Sequence, residues 1–467
     1  MESDLPTENV NQSVYPGESD QPVRRKFRLV FGLLLAFILC VFVLASAKPP
    51  ARKYPNRTKV VFWHRWGGEW EKVVGNIIDR FNESQTEYEV QGMFVTGSGS
   101  DAKLILSTTG GVPPDVMSIW NGAIPTFASG GLLTDLETLM TPAERDYFHR
   151  VPYPSIRESG QYRGRTYGIT IGADLYGYYV NCDQLRSKGI NPDNPPATFE
   201  ELVKIGQALD IYDQGVLTRM GLSVSSLLTH SYAWGDGFYD SANHKLLMNT
   251  TSQVQALTAM VNQKKTVGFD NATRFWESQN SSSSTGAWPF IAGAVSIAYD
   301  GQWRVEEIRK YKKGMDYRVW PVIPPANGKP FAGAVGGNFM IIPQSAKQKK
   351  GAFEFVKFWS GLTKPERAAE FYTWGGWLPL SPDVANSPIY SSYLKENPQF
   401  KTFVNILGGP NCHSMPSVGY LQFYLDQIQR AEDSALRGSQ SPEATLKQMQ
   451  IRVQEELKKR KELGFDD

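Results

Sequence analysis

Residues 287–308, AWPFIAGAVSIAYDGQWRVEEI, decide the fold. Within them VSIAY, 295–299, is short, apolar and uncharged, the pattern of a strand buried on both faces. Asp300-Gly301 interrupts it, and Gln302-Trp303-Arg304 leads into a helix-like run over 305–311. A strand that ends in a glycine turn and feeds a helix puts its turn residues at the carboxyl edge of a parallel sheet, where open α/β folds take their ligands. The turn offers an acid, an amide, an indole and a guanidinium. That set suits a polyhydroxylated ligand, which needs a flat ring face for its C–H surfaces and hydrogen bonds for its hydroxyls. A plainer role for Trp303 is to anchor its helix to the sheet.

The same punctuation recurs along the chain. KVVFW (59–63) reads as a first strand, and His64-Arg65-Trp66-Gly67-Gly68 as its turn. Trp70, Val73, Val74, Ile77, Ile78 and Phe81 follow at the spacing of one buried helix face. Residues 88–95 and VMSIW (116–120) are further strands, the second turned by Asn121-Gly122 into a helix over 124–129. Gly97-Ser98-Gly99-Ser100 lacks the third glycine and the Lys-Ser/Thr ending of a phosphate loop, and reads as a turn. Residues 161–167 suggest a hairpin and 167–181 a strand-rich run. Thr198 with Glu201, and Thr363 with Glu366, have capping-box spacing. Later strands are expected at 317–321 and 336–343, a helix at 351–361, and a charged surface helix over 441–464. Alternating strand and helix predict a parallel sheet.

The chain has 467 residues, which favours two lobes, and its net charge of +2 gives no reason to expect a nucleic-acid partner. Residues 1–28 are polar and end in the basic run Arg24–Arg28. The uncharged run 29–47 is about as long as the ~20 residues that span a bilayer. Its basic amino-side flank keeps the leader cytoplasmic and the remainder outside. Ala45-Ser46-Ala47 also fits a signal-peptidase site, so anchor and cleaved signal both stand. Proline-rich residues 48–57 form a linker. Cys182 and Cys412, the cysteines beyond the apolar run, permit one disulfide or two buried free thiols. No spacing of a zinc site, a P-loop, HExxH or GxSxG occurs, so no metal, cofactor or catalysis is expected.

Several blocks in order, Pro114-Asp115-Val116, FASGGLLTDLETL (127–139), YYVNCDQLRSKGI (178–190), residues 196–202, 290–303, 336–343 and 376–379, resemble the bacterial extracellular solute-binding proteins of carbohydrate type that serve ABC importers. The resemblance runs from about residue 59 to about residue 430. It implies a two-lobed periplasmic-binding-protein-like α/β fold (type II), with discontinuous lobes and a central cleft; the membrane segment that precedes it is read from residues 29–47 and departs from the lipoprotein cysteine or plain cleaved signal usual in that family. The lobes are expected over 58–167 with 289–340, and over 168–288 with 341–467. The implied ligand is a mono- or oligosaccharide, and the implied partner an ABC permease at the outer face of the membrane. Candidate cleft residues are His64, Trp66, Trp120, Asn121, Trp234, Asp236, Asp300, Trp303, Gly337, Asn338, Trp374 and Trp377. Of Trp374 and Trp377, one is expected in the cleft and the other in the core. A tethered sugar sensor would use the same cleft. A glycoside-active enzyme would need two carboxylates across it, for which Asp236 and Asp300 are candidates.

Overall fold

The computed structural model describes residues 30–35, 37, 52–96, 100–223, 225–235, 237–240, 243, 245–282 and 288–464. The chain divides into two units, Met1–Asn56 and Arg57–Asp467. In the first, residues 30–35 are helical. No helix among the described residues is long and apolar enough to cross a membrane. The expected leader, 1–28, and most of the expected segment 29–47 lie outside the described residues, as do Gly97, Ser98 and Gly99.

The second unit is built on two five-stranded sheets. In the first the order is Tyr88–Phe94, Thr58–His64, Val116–Trp120, Gly336–Ile341, Gly168–Asp174. Its first three strands are parallel, and the last two pairings antiparallel. In the second the order is Tyr317–Trp320, Tyr176–Asn181, Val295–Gly301, Val216–Leu222, Ile211–Asp213. Only Val295–Gly301 and Val216–Leu222 run parallel there. Both sheets are therefore mixed, and the expectation of a parallel sheet is corrected. Helix Glu69–Ser84 returns the chain between the neighbouring strands Thr58–His64 and Tyr88–Phe94, and helix Ser100–Thr109 carries it across Thr58–His64 to Val116–Trp120, which keeps 58–120 parallel. Later strands arrive by long connections from the other sheet, and nothing local fixes their direction.

The lobe boundaries also differ from the expected ones. Strands Val295–Gly301 and Tyr317–Trp320, expected in the first lobe, pair with Tyr176–Asn181 in the second sheet. Strand Gly168–Asp174, expected in the second lobe, pairs with Gly336–Ile341 in the first sheet. Helix Lys349–Ser360 packs on the first sheet, Phe355 and Trp359 edge-on to Phe62 at 5.2 and 6.1 Å. One extended run, 168–181, serves both sheets with a single residue, Leu175, between its two strands. No proline marks that step in the sequence, and the nearest glycines, Gly172 and Gly177, lie inside the two strands.

Leu175 is buried, and the side chain of Gln302 secures it. Leu175 N–H donates to Gln302 Oε1 at 3.1 Å, and Gln302 Nε2 donates to Ala173 O at 3.2 Å and to Asp174 Oδ1 at 2.8 Å. Gln302 N–H donates in turn to Leu175 O at 3.1 Å. Gln302 of the opening stretch thus holds the crossing between the sheets, meeting both backbone polar groups of Leu175, which lies between the two strands.

Two further expectations separate at the helix starts. Thr198 and Glu201 form the capping box of helix Phe199–Leu209. Helix Pro365–Gly375 starts after Lys364 with no side-chain cap, so the Thr363–Glu366 box does not form. The tail helix Pro442–Glu462 is not merely a surface element. It buries Leu446, Met449 and Val453 in a cluster with Tyr424, Ile428 and Leu257. Cys182 and Cys412 are free thiols.

Candidate functional site

The strand ends of the two sheets meet around a cavity of about 320 Å³. Trp120, Asp174 and Gly336 line it from the first sheet, Tyr176 and Tyr299 from the second. Ser226, Leu228 and Thr229 contribute from the start of helix Leu227–Trp234, and Ile428, Gln429 and Glu432 from helix Leu421–Leu436. The size suits a small organic ligand.

Its aromatic wall follows from the local sequence. Tyr176 and Tyr299 stack at 5.4 Å with an interplanar angle of 15°. Trp303 meets Tyr176 edge-on at 5.5 Å and 87°. Two glycines let the indoles lie across the backbone. A Cβ at Gly122 would fall 1.9 Å from the Trp120 ring, and one at Gly301 2.1 Å from the Trp303 ring. Both glycines sit two positions from their tryptophan, in strand-end turns belonging to different sheets.

The polar wall holds two carboxylates. Glu432 is buried and its Oε2 accepts the Leu227 N–H at 2.7 Å. Burial pushes its carboxyl up to about 7, partly offset by that bond. Asp174 accepts from Gln302, and burial pushes it up to about 6, with Gln302 and the positive charge of Arg65 opposing. Tyr299 donates its hydroxyl to Thr229 Oγ1 at 2.7 Å, and its N–H to Ser223 Oγ at 2.8 Å. Among the described residues lining the cavity none is Lys, Arg or His. No group of His, Cys, Asp and Glu among the described residues could hold a metal ion.

The twelve candidates divide. Trp120 lines the cavity, and Trp303 backs it through Tyr176. Gly337 and Asn338 stand in the strand beside it. Gly337 at φ 130° lies so close to strand Gly168–Asp174 that a Cβ would come 2.5 Å from Gly172 O. Asn338 pairs with Trp120 in register. Asn121 is buried, and its Nδ2 donates to Val335 O at 3.2 Å. Asp300 is committed elsewhere, since Arg304 Nε donates to it at 2.8 Å and Gly301 N–H to its Oδ1 at 2.8 Å. Asp236 lies outside the described residues.

Four aromatic candidates and His64 sit apart from the cavity. Trp66 stacks on Trp359 at 5.6 Å and tilts against Trp377 at 5.3 Å. Trp377 is 3% exposed and belongs to the core, so the expected division of that pair holds only for its core member. Trp374 faces an outer groove with Trp70 and Glu306, and Arg80 lies over its ring at 5.9 Å. His64 is buried near Phe62 and Phe94, and desolvation holds its imidazole below its usual value. Trp234 packs edge-on to Phe199 at 5.2 Å and lines a separate groove of about 740 Å³ between helices Phe199–Leu209 and Thr251–Val267. Tryptophan count alone does not separate a cleft ring from a core ring. The residues missed, Asp174, Tyr176, Tyr299 and Glu432, carried one readable signal: the first three flank strand ends.

A family described as bacterial extracellular solute-binding protein matches residues 76–402. The sn-glycerol-3-phosphate-binding periplasmic protein UgpB of Yersinia pestis is 24% identical over 357 residues, 73% of this chain and 78% of that protein. Among solved structures, CpMnBP1 with mannotriose bound aligns with a TM-score of 0.73 at 20% identity, over 85% of this chain and 99% of that one. The sugar-binding protein MalE of Xanthomonas citri aligns with a TM-score of 0.69 at 19% identity, over 88% and 100%. These alignments share the two-lobed α/β fold.

Proposed function

The chain belongs to the bacterial extracellular solute-binding proteins, and from that premise we propose that it captures a sugar outside the cytoplasmic membrane and delivers it to an ABC importer permease. The observation that carries this reading is the cavity walled by both sheets, lined by the rings of Trp120, Tyr176 and Tyr299 together with hydrogen-bonding groups. Aromatic faces cover the C–H surfaces of a pyranose, and carboxylates and hydroxyls bind its hydroxyl pairs. Solved structures with this fold include one with mannotriose bound and a sugar-binding MalE. Residues 29–47 would tether the protein to the membrane or be removed on export. Its role is binding, not catalysis. Asp300, one of the two carboxylates a glycosidase could have used, is held by Arg304.

Titration of the exported part with mono- and oligosaccharides, followed by thermal shift and calorimetry, tests the proposal. A saturable rise in Tm for at least one sugar, with no product released, is expected. Trp120→Ala should weaken that sugar by tenfold or more and leave the ligand-free Tm within a few degrees. An unchanged affinity in that variant would remove the cavity as the site.

A further inference from the structure

The charge of the cavity narrows the ligand class. Its described lining residues include two carboxylates, Asp174 and Glu432, and no basic side chain. Neither acid is neutralised by an ion pair among the described residues. Glu432 is held by a backbone N–H at 2.7 Å, and Asp174 by the amide of Gln302 at 2.8 Å. The charged groups that act on them are few. Arg65, in the turn after the first strand, acts on Asp174, and Asp433, next along the helix, acts on Glu432 with the opposite sign. Arg304, the cation nearest in sequence to the Trp303 turn, is occupied by Asp300 and Glu307.

A phosphate ester brings up to two negative charges, and binding sites for it supply Arg or Lys forks or a row of backbone N–H groups. The described lining offers neither cation, and at the start of helix Leu227–Trp234, where an anion could sit, the Leu227 N–H is already bonded to the carboxylate of Glu432. Placing a phosphate in this walled space would set it against like charges at low dielectric. An ammonium group would meet the reverse: carboxylates and three aromatic faces, the surroundings that favour a cation.

We propose that the cleft accepts uncharged and amine-bearing saccharides and excludes phosphate esters, with Asp174 and Glu432 as the residues that set this selection. The inference rests on the saccharide reading above and separates this chain from relatives named for glycerol phosphate.

Calorimetry at pH 8 on the exported part tests it. The probes are sn-glycerol 3-phosphate and a matched set of disaccharides: cellobiose and mannobiose as neutral members, and 6-amino-6-deoxycellobiose, whose alkyl amine stays protonated at that pH, as the cationic one. A neutral disaccharide should bind, the amino disaccharide should bind at least threefold more tightly than cellobiose, and sn-glycerol 3-phosphate should give no saturable heat up to about 10 mM. The variants Glu432→Gln and Asp174→Asn keep both acceptor bonds; each should weaken the amino disaccharide more than cellobiose, so that the ratio of the two affinities falls toward one. Saturable binding of glycerol phosphate that Trp120→Ala abolishes overturns the selection, and leaves the saccharide reading intact if a neutral disaccharide also binds. An amine preference unchanged in both variants overturns the assignment to these two residues. Failure of every disaccharide removes the saccharide reading, and this inference with it.

Discussion

Glu432 shows how one residue links the site to stability. Its carboxyl stands higher in the fold than in the unfolded chain, at about 7 against 4.5. The folded state therefore holds the proton more tightly, and the stabilisation is full below about 4.5 and lost as pH rises through 7. By the usual conversion this amounts to roughly 3 kcal/mol. Glu432→Gln removes the dependence, so the stability of the variant minus that of the wild type should grow between pH 4.5 and 7 and then level off. Urea unfolding of both proteins at pH 4.5, 6 and 8 measures it. The difference is the proper quantity, because His230, held by burial at about 4, acts in the opposite direction in the wild type. Gly301 supplies a second test. Gly301→Ala drives a methyl into the Trp303 ring, and a loss of about 1–3 kcal/mol is expected in denaturant unfolding.

At the scale of elements, the capping boxes give a matched pair. Thr198→Ala removes a bond made to the Glu201 N–H and should cost about 1 kcal/mol in urea unfolding. Thr363→Ala has the same motif and no such bond at the helix start, and should stay within about 0.5 kcal/mol. What could be read in the sequence was of this local kind. Strand VSIAY, the buried face of helix Glu69–Ser84 and the Thr198 box depend on neighbours in the chain, and each formed where expected. The pairing of strand Gly168–Asp174 with Gly336–Ile341 joins residues some 170 apart in number, and no local pattern encodes it. The site suffered likewise. Trp120 and Trp303 stand at strand ends and were legible. Glu432 lies in an amphipathic helix among other acids, and only the approach of the Leu227 N–H distinguishes it. Trp66, Trp377 and Trp374 look the same in sequence as the cleft rings, because indole serves core packing and ligand contact equally.

For the whole molecule, closure of two lobes about the Leu175 crossing is the motion a binding protein of this shape would use. Gln302→Ala leaves the Leu175 N–H without its buried partner, and a loss of about 1–3 kcal/mol in unfolding free energy is expected. A bound sugar at a hundred times its Kd should add about 2.7 kcal/mol to the global stability. The two free thiols offer a way to watch unfolding. Cys182 is fully buried, and desolvation pushes its thiol up to about 12. Cys412 sits in the two-residue strand that pairs with Gly333–Ala334, on the way from one sheet to the other, and its sulfur takes a hydrogen bond from Ser155 at 3.5 Å. In a Cys40→Ser background, alkylation then works as a clock with two hands: that of the half-buried Cys412 turns faster, and that of Cys182 advances only when the chain comes undone. Since neither sulfur is tied to another, reductant leaves both hands running at their own pace.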